Sequence, residues 1–192
     1  MNDDIILMLR PFTDEIREQL DYIPYRRFLN MIVMYMVIRE APCAGETKKV
    51  ELHTLDKVEA RMRGIRTEEE LYEIALNNTE RRFPPHITDL SDGIFCLTNQ
   101  HNVFGAAAIL YKNELKALSK YAGTNIYVVP VSIHEVICIK QDAADPEDIY
   151  ELIRRVNTDI VEEDDYLSES IYYYDSDADK LVIAYSEDGY YM

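Results

Sequence analysis

The chain contains no tryptophan and only six glycines and three cysteines in 192 residues, and its 20 basic side chains are outnumbered by 36 acidic ones. Each shortage excludes something. So few glycines leave little material for a phosphate cradle, and no Walker loop, Rossmann glycine pattern or GxSxG elbow is present, which disfavours nucleotide enzymes. The cysteines, Cys43, Cys96 and Cys138, are odd in number and lack CxxC spacing. They read as buried reduced thiols of a cytoplasmic protein rather than a disulfide framework or a zinc site. A net charge of −16 repels phosphate backbones and anionic lipid, so neither direct nucleic-acid binding nor membrane docking is expected. The longest apolar stretch, Phe28 to Ile38, is broken by Asn30 and falls far short of the roughly 20 residues a spanning helix needs. The amino terminus has no basic region or small-residue cleavage site, so no export is expected.

What is present is globular: 47% of residues are hydrophobic and 29% charged, enough to build a core without metal or disulfide. Breaks fall at Ala41 to Lys48, at Pro84-Pro85 and around Asp142 to Pro146. They suggest an amino-terminal α+β lobe over 1–85 and a carboxyl-terminal α+β lobe over 86–192, with a single domain as the alternative. Strands are expected at Ile5–Leu9 and Lys49–His53, and helix at Thr13–Leu20 and from Leu55. Phe28 to Ile38 fits a buried strand or a buried helix equally well. Thr67-Glu68-Glu69-Glu70 reads as a capping box, with Leu71, Ile74, Ala75 and Asn78 on one face of the helix that follows.

In the second lobe, strands are expected at Gly93–Thr98, Ala106–Leu110, Asn125–Val129 and Glu135–Ile139, and a helix at Lys112–Tyr121. Asp145-Pro146 starts a further helix, with an N-cap and an N1 proline. The chain closes with a hairpin, Ser170–Tyr174 and Lys180–Tyr185. This order implies an α+β fold, a mixed or antiparallel sheet flanked by helices.

Three segments, Ile94-Phe95-Cys96-Leu97-Thr98-Asn99, Phe104 to Tyr111 and Val129 to Ile137, together resemble a bacterial family named domain of unknown function 5688. Glu69-Glu70-Leu71-Tyr72 and the closing Tyr172-Tyr173-Tyr174-Asp175 agree with it, and its best signature is Pro130-x-Ser132-x-His134-Glu135. The family is frequent in anaerobic gut bacteria and on their mobile elements. The resemblance implies compartment and fold continuity and brings no activity or catalytic residue with it.

The candidate catalytic residues are Ser132, His134, Glu135 and Asn99. Histidine can shuttle protons near neutral pH, and a neighbouring carboxylate or hydroxyl could assist. Consecutive strand residues point to opposite faces, however, so His134 would share a face with Ser132 and not with Glu135. A plainer reading has Ser132 capping a turn and His134 bonding backbone. His134 to Cys138 is not the zinc-protease motif, because Cys138 replaces the second histidine and the segment reads as strand. No cofactor and no metal site are expected. Asp175, Asp177 and Asp179 open like a calcium loop, but Lys180 and Ser186 stand where its glycine and glutamate belong. Glu162 to Asp165 reads as a solvated acidic loop.

The fifteen tyrosines, clustered at Tyr172–Tyr174, Tyr185, Tyr190 and Tyr191, suit either a protein interface or cross-strand pairs in a hairpin. The leading functional expectation is a non-catalytic protein-interaction or regulatory module, with a protein partner or self-association. The alternative is a small hydrolase or other acid–base enzyme centred on His134, so whether the protein is an enzyme stays open. A carboxylate-covered mimic of nucleic acid is a weaker third reading.

Overall fold

Every position from Ile5 to Leu9 and from Met31 to Ile38 is apolar and buried, and both runs are strands whose two faces are covered. The computed structural model describes residues 2–41, 49–159, 161–186 and 189–190, which fall into two compact units, 1–82 and 83–192. Cys43 and Tyr191 lie outside the described residues.

In the first unit β1 (Ile5–Pro11), β2 (Tyr25–Phe28), β3 (Met31–Ala41) and β4 (Lys49–Thr54) form an antiparallel sheet. β3 runs through its middle, flanked by β1 on one side and by β2 and β4 in succession on the other. This resolves the ambiguous run as a strand. Its start is set by the β2–β3 hairpin, where Leu29 takes a left-handed φ of 55°. Helix α1 (Asp14–Gln19), capped by Thr13, lays Ile16 against Ile32 and Met34 of β3. Helix α2 (Lys57–Met62) is capped by Asp56.

Helix α3 (Glu68–Arg82) starts with the Glu70 amide donating to Thr67 Oγ1 at 3.1 Å. The reciprocal bond differs from a standard capping box: the Glu70 carboxylate accepts from the Arg66 amide, one residue further back, at 2.9 Å. Of the expected face, Leu71, Ala75 and Asn78 are buried while Ile74 is half-buried.

The second unit carries one antiparallel sheet in the order β11-β10-β9-β7-β8-β6-β5. Its strands are β5 (Pro85–Ser91), β6 (Ile94–Asn99), β7 (Ile126–Val129), β8 (Val136–Lys140), β9 (Ile171–Asp175), β10 (Lys180–Ser186) and β11 (Gly189–Tyr190). Helix α4 (Glu114–Ala122) turns Leu115 and Leu118 inward. Helix α5 (Pro146–Asp159) packs Ile149, Tyr150 and Ile153 onto Tyr127, Ile139 and Ile171 of the sheet. Leu152, on the same helix, is exposed. The α+β class with antiparallel sheets and flanking helices is thus the observed one.

One expectation is corrected here. Gly105–Leu110 is a 3-10 segment, not a strand. Its three alanines have no exposed surface, and the Ala106 amide donates to the Ile133 carbonyl, so close backbone packing outweighs the apolar-run signal. Helix α3 ends at Arg82, just before the two prolines, and Pro85 opens strand β5. A proline is tolerated as the first residue of an edge strand, where its missing N–H costs no ladder bond.

Candidate functional site

The Pro-x-Ser-x-His-Glu segment is a loop between β7 and β8 rather than a regular strand, and it sits where three stretches of the second unit converge. The first stretch is Asn99–Gly105. Asn99 is almost fully buried and spends its side chain on its own loop: Oδ1 accepts from the His101 amide at 2.9 Å, and Nδ2 donates to the Val103 carbonyl at 2.7 Å. That bracing presents Phe104 in a left-handed conformation, with its amide aimed at the histidine.

His134 is held on both ring nitrogens. Nδ1 accepts from the Phe104 amide at 3.2 Å, and Nε2 lies 3.1 Å from Asp165 Oδ1. A backbone amide can only donate, so Nδ1 carries the lone pair and the ring proton sits on Nε2, pointing at the carboxylate. The Phe104 ring stacks on the imidazole at 5.8 Å with an interplanar angle of 20°. Ser132 Oγ accepts from the His134 backbone amide at 3.1 Å, a local turn, and does not reach the ring nitrogens. The His134 carbonyl accepts from Thr98 Oγ1 at 2.8 Å.

Glu135 points elsewhere. It is exposed, and its Oε2 accepts from Cys96 Sγ at 3.5 Å across the β6–β8 pair. Burial first, and then the Glu135 carboxylate, push the Cys96 thiol up to about 11. Cys138 is buried and Cys96 half-buried; both are free, and burial also raises the Cys138 thiol. The structure therefore brings His134 and Asp165 together, directs Asn99 and Ser132 to backbone, and parts His134 from Glu135.

Asp165 is the member that sequence reasoning missed. It belongs to a 3-10 turn, Glu163–Asp165, whose last carbonyl also accepts the Ile133 amide at 2.9 Å, so the stretch read as a solvated loop is an anchor. Thirty-one positions separate it from His134, and no local pattern marks the pairing.

Among the described residues six tyrosines belong to the core. Tyr172 and Tyr174 are buried, and Tyr173 stands in register with Tyr127 across β7–β9 with ring centroids 5.7 Å apart. Asp175 makes an Asx turn with the amides of Asp177 and Ala178, giving the hairpin its tip.

Among the described residues no three His, Cys, Asp or Glu side chains converge to hold a metal, and no helix is long and apolar enough to cross a membrane.

Residues 91–176 match the model of a family of unknown function (DUF5688), which supports the resemblance read from the sequence. No curated protein and no solved structure matches the chain. The matched stretch contains every residue of the clasp around His134, from Thr98 to Asp165.

Proposed function

We propose that this protein, whose second unit carries the DUF5688 stretch, is a non-catalytic interaction module, with β5 as its docking edge. The observation that carries the reading is the exposure of β5: it is the terminal strand of its sheet, and six of its seven residues are exposed, from His86 to Ser91. Ile87 and Leu90 are 36% and 50% accessible. The Gln100 amide donates to the Pro84 carbonyl, and antiparallel alternation from that bond turns His86 and Thr88 toward β6. The N–H and C=O groups of Ile87 and Asp89 then face outward, ready for strand addition.

The occupant is a second copy of the chain. An antiparallel two-fold centred on Thr88 sets Ile87 opposite Asp89 of the other copy, so each outward amide and carbonyl gains a partner and no two aspartates stand face to face. A charge of −16 on each copy opposes the pairing, so added salt should strengthen it. Ile87→Pro removes one outward N–H while sparing the bonds to β6. Sedimentation should show a concentration- and salt-dependent dimer for the parent chain, and a monomer of unchanged circular dichroism for the variant. A parent chain that stays monomeric at every concentration and salt overturns the reading.

The acid–base alternative centred on His134 has both ring nitrogens committed and the serine oxygen turned to a backbone amide, which counts against it. A nucleic-acid mimic is weakened by the ion pairs that hold Asp4, Glu59, Glu68 and Asp179 to cations of the same chain.

A further inference from the structure

In so acidic a chain, cations should be taken up by carboxylates, and several of the first unit's arginines are. Arg63 bonds Asp4 and Glu59, Arg17 bonds Asp14, and Arg26 grips Glu68 and Glu69 while lying 3.9 Å from the Tyr72 ring. Arg61 and Arg66 are different. Among the described residues neither guanidinium has a carboxylate partner, and both line one cleft of about 280 Å³.

The cleft opens within the first unit among β2, α2 and the start of α3. Lys57 completes its cationic rim, with Nζ donating at 2.9 Å to the carbonyls of Leu20 and Asp21 and meeting no carboxylate. One acid, Glu68, also lines it, its carboxylate engaged by Arg26, which it shares with Glu69. Arg26 contacts both Glu68 oxygens at 2.7 to 3.1 Å, and the buried Tyr35 hydroxyl donates to Oε1. Burial and the Glu68 hydrogen bond hold the Tyr35 phenol well above its ordinary range, so it stays protonated as a donor. Ile23, Tyr25, Ile65 and Leu71 give the cleft apolar walls.

We infer that this cleft binds a small organic oxyanion, a carboxylate or phosphate carried on a compact apolar body. Guanidinium forks suit planar or tetrahedral oxyanions, and the apolar walls suit the remainder of such a molecule. The positive lining sits in a strongly negative molecule, so the cleft selects against cations of the same shape.

The test titrates the isotope-labelled full chain with phenyl phosphate, benzoate and benzylamine, three probes sharing one ring. Saturable amide shifts at Ile65 to Leu71 with either anion, and none with benzylamine, support the site; the tighter anion identifies the phosphate or carboxylate source. Arg61→Gln with Arg66→Gln should weaken that binding about tenfold or more. Arg17→Gln, a cation outside the cleft, should leave it unchanged. No saturable shift with either anion, equal binding of benzylamine, or full retention in the double variant overturns the inference. Because both arginines are exposed, loss of fold does not confuse the result. The readout is independent of dimer formation at β5.

Discussion

Thr79 closes the outer edge of β1 through Leu7: its Oγ1 accepts the Leu7 amide at 2.9 Å while donating to the Ala75 carbonyl at 2.6 Å. Asn78 completes the cover, its Nδ2 donating to the Ile5 carbonyl at 2.9 Å and to the Asn2 carbonyl at 2.8 Å. β1 ends its sheet, yet a helix satisfies two of its outward backbone groups, which blunts it as a template for strand pairing. Among the described residues β5 has no comparable cover, and the contrast supports assigning the docking role to β5.

Thr79→Val keeps the shape and deletes the hydroxyl, leaving the buried Leu7 amide without an acceptor. Urea unfolding should show a loss of about 1–3 kcal/mol. Thr79→Ser should retain most of the stability; equal losses in the two variants would mean that packing of the threonine methyl matters, not the bond.

Gly105 is required for space. A Cβ there would lie 2.1 Å from Thr98 Oγ1, 2.3 Å from the His134 carbonyl oxygen and 2.9 Å from the Asn99 amide nitrogen. Backbone atoms cannot swing aside, so Gly105→Ala should cost about 3 kcal/mol or more, at the upper end for overpacking. Thermal unfolding measures the loss, and hydrogen exchange at Phe104 and Ala106 should rise with it. Stability within 0.5 kcal/mol of the parent, the usual spread for neutral surface changes, would show that the His134 clasp is plastic.

Cys96, with its thiol at about 11, is almost entirely protonated at pH 7.5 and should alkylate slowly. Glu135→Gln removes the negative charge that adds to the effect of burial, so the pKa falls and the thiolate fraction rises. Iodoacetamide labelling followed by mass spectrometry should show a rate increase of roughly three- to tenfold at Cys96 and none at buried Cys138. An unchanged Cys96 rate would leave burial as the whole cause.

Glu59 joins His53 at 2.9 Å and Arg63 at 2.7 Å. Burial acts to raise its carboxyl, but the hydrogen bonds from His53 and Arg63 prevail and hold it below its ordinary 4.5. A folded-state pKa lower than the unfolded one gives stability that is present above about pH 4.5 and is lost as pH falls through the depressed value. Glu59→Gln should therefore be less stable than the parent at pH 6 and should lose less on acidification below pH 4.5. Parallel stability curves for the two chains would remove Glu59 from the acid response.

Local chemistry written along the chain determined much of this protein. The continuous apolar run of β1, the caps at Thr67 and Asp145, the inward Leu115 and Leu118 and the hairpin around Asp175 each follow from neighbouring residues, and each is found. The run at Phe28 to Ile38 carried burial but not its conformation, because uniform hydrophobicity has no period. Only tertiary packing decided that Met31–Ala41 would be a central strand and that the Ala106–Leu110 run would coil tightly against Ile133. It also decided that Asp165 would meet His134 and that Arg61 and Arg66 would share one cleft. These outcomes depend on which backbone groups and side chains are brought together across tens of residues, and burial of amides and charges selects the arrangement in which the buried ones find partners.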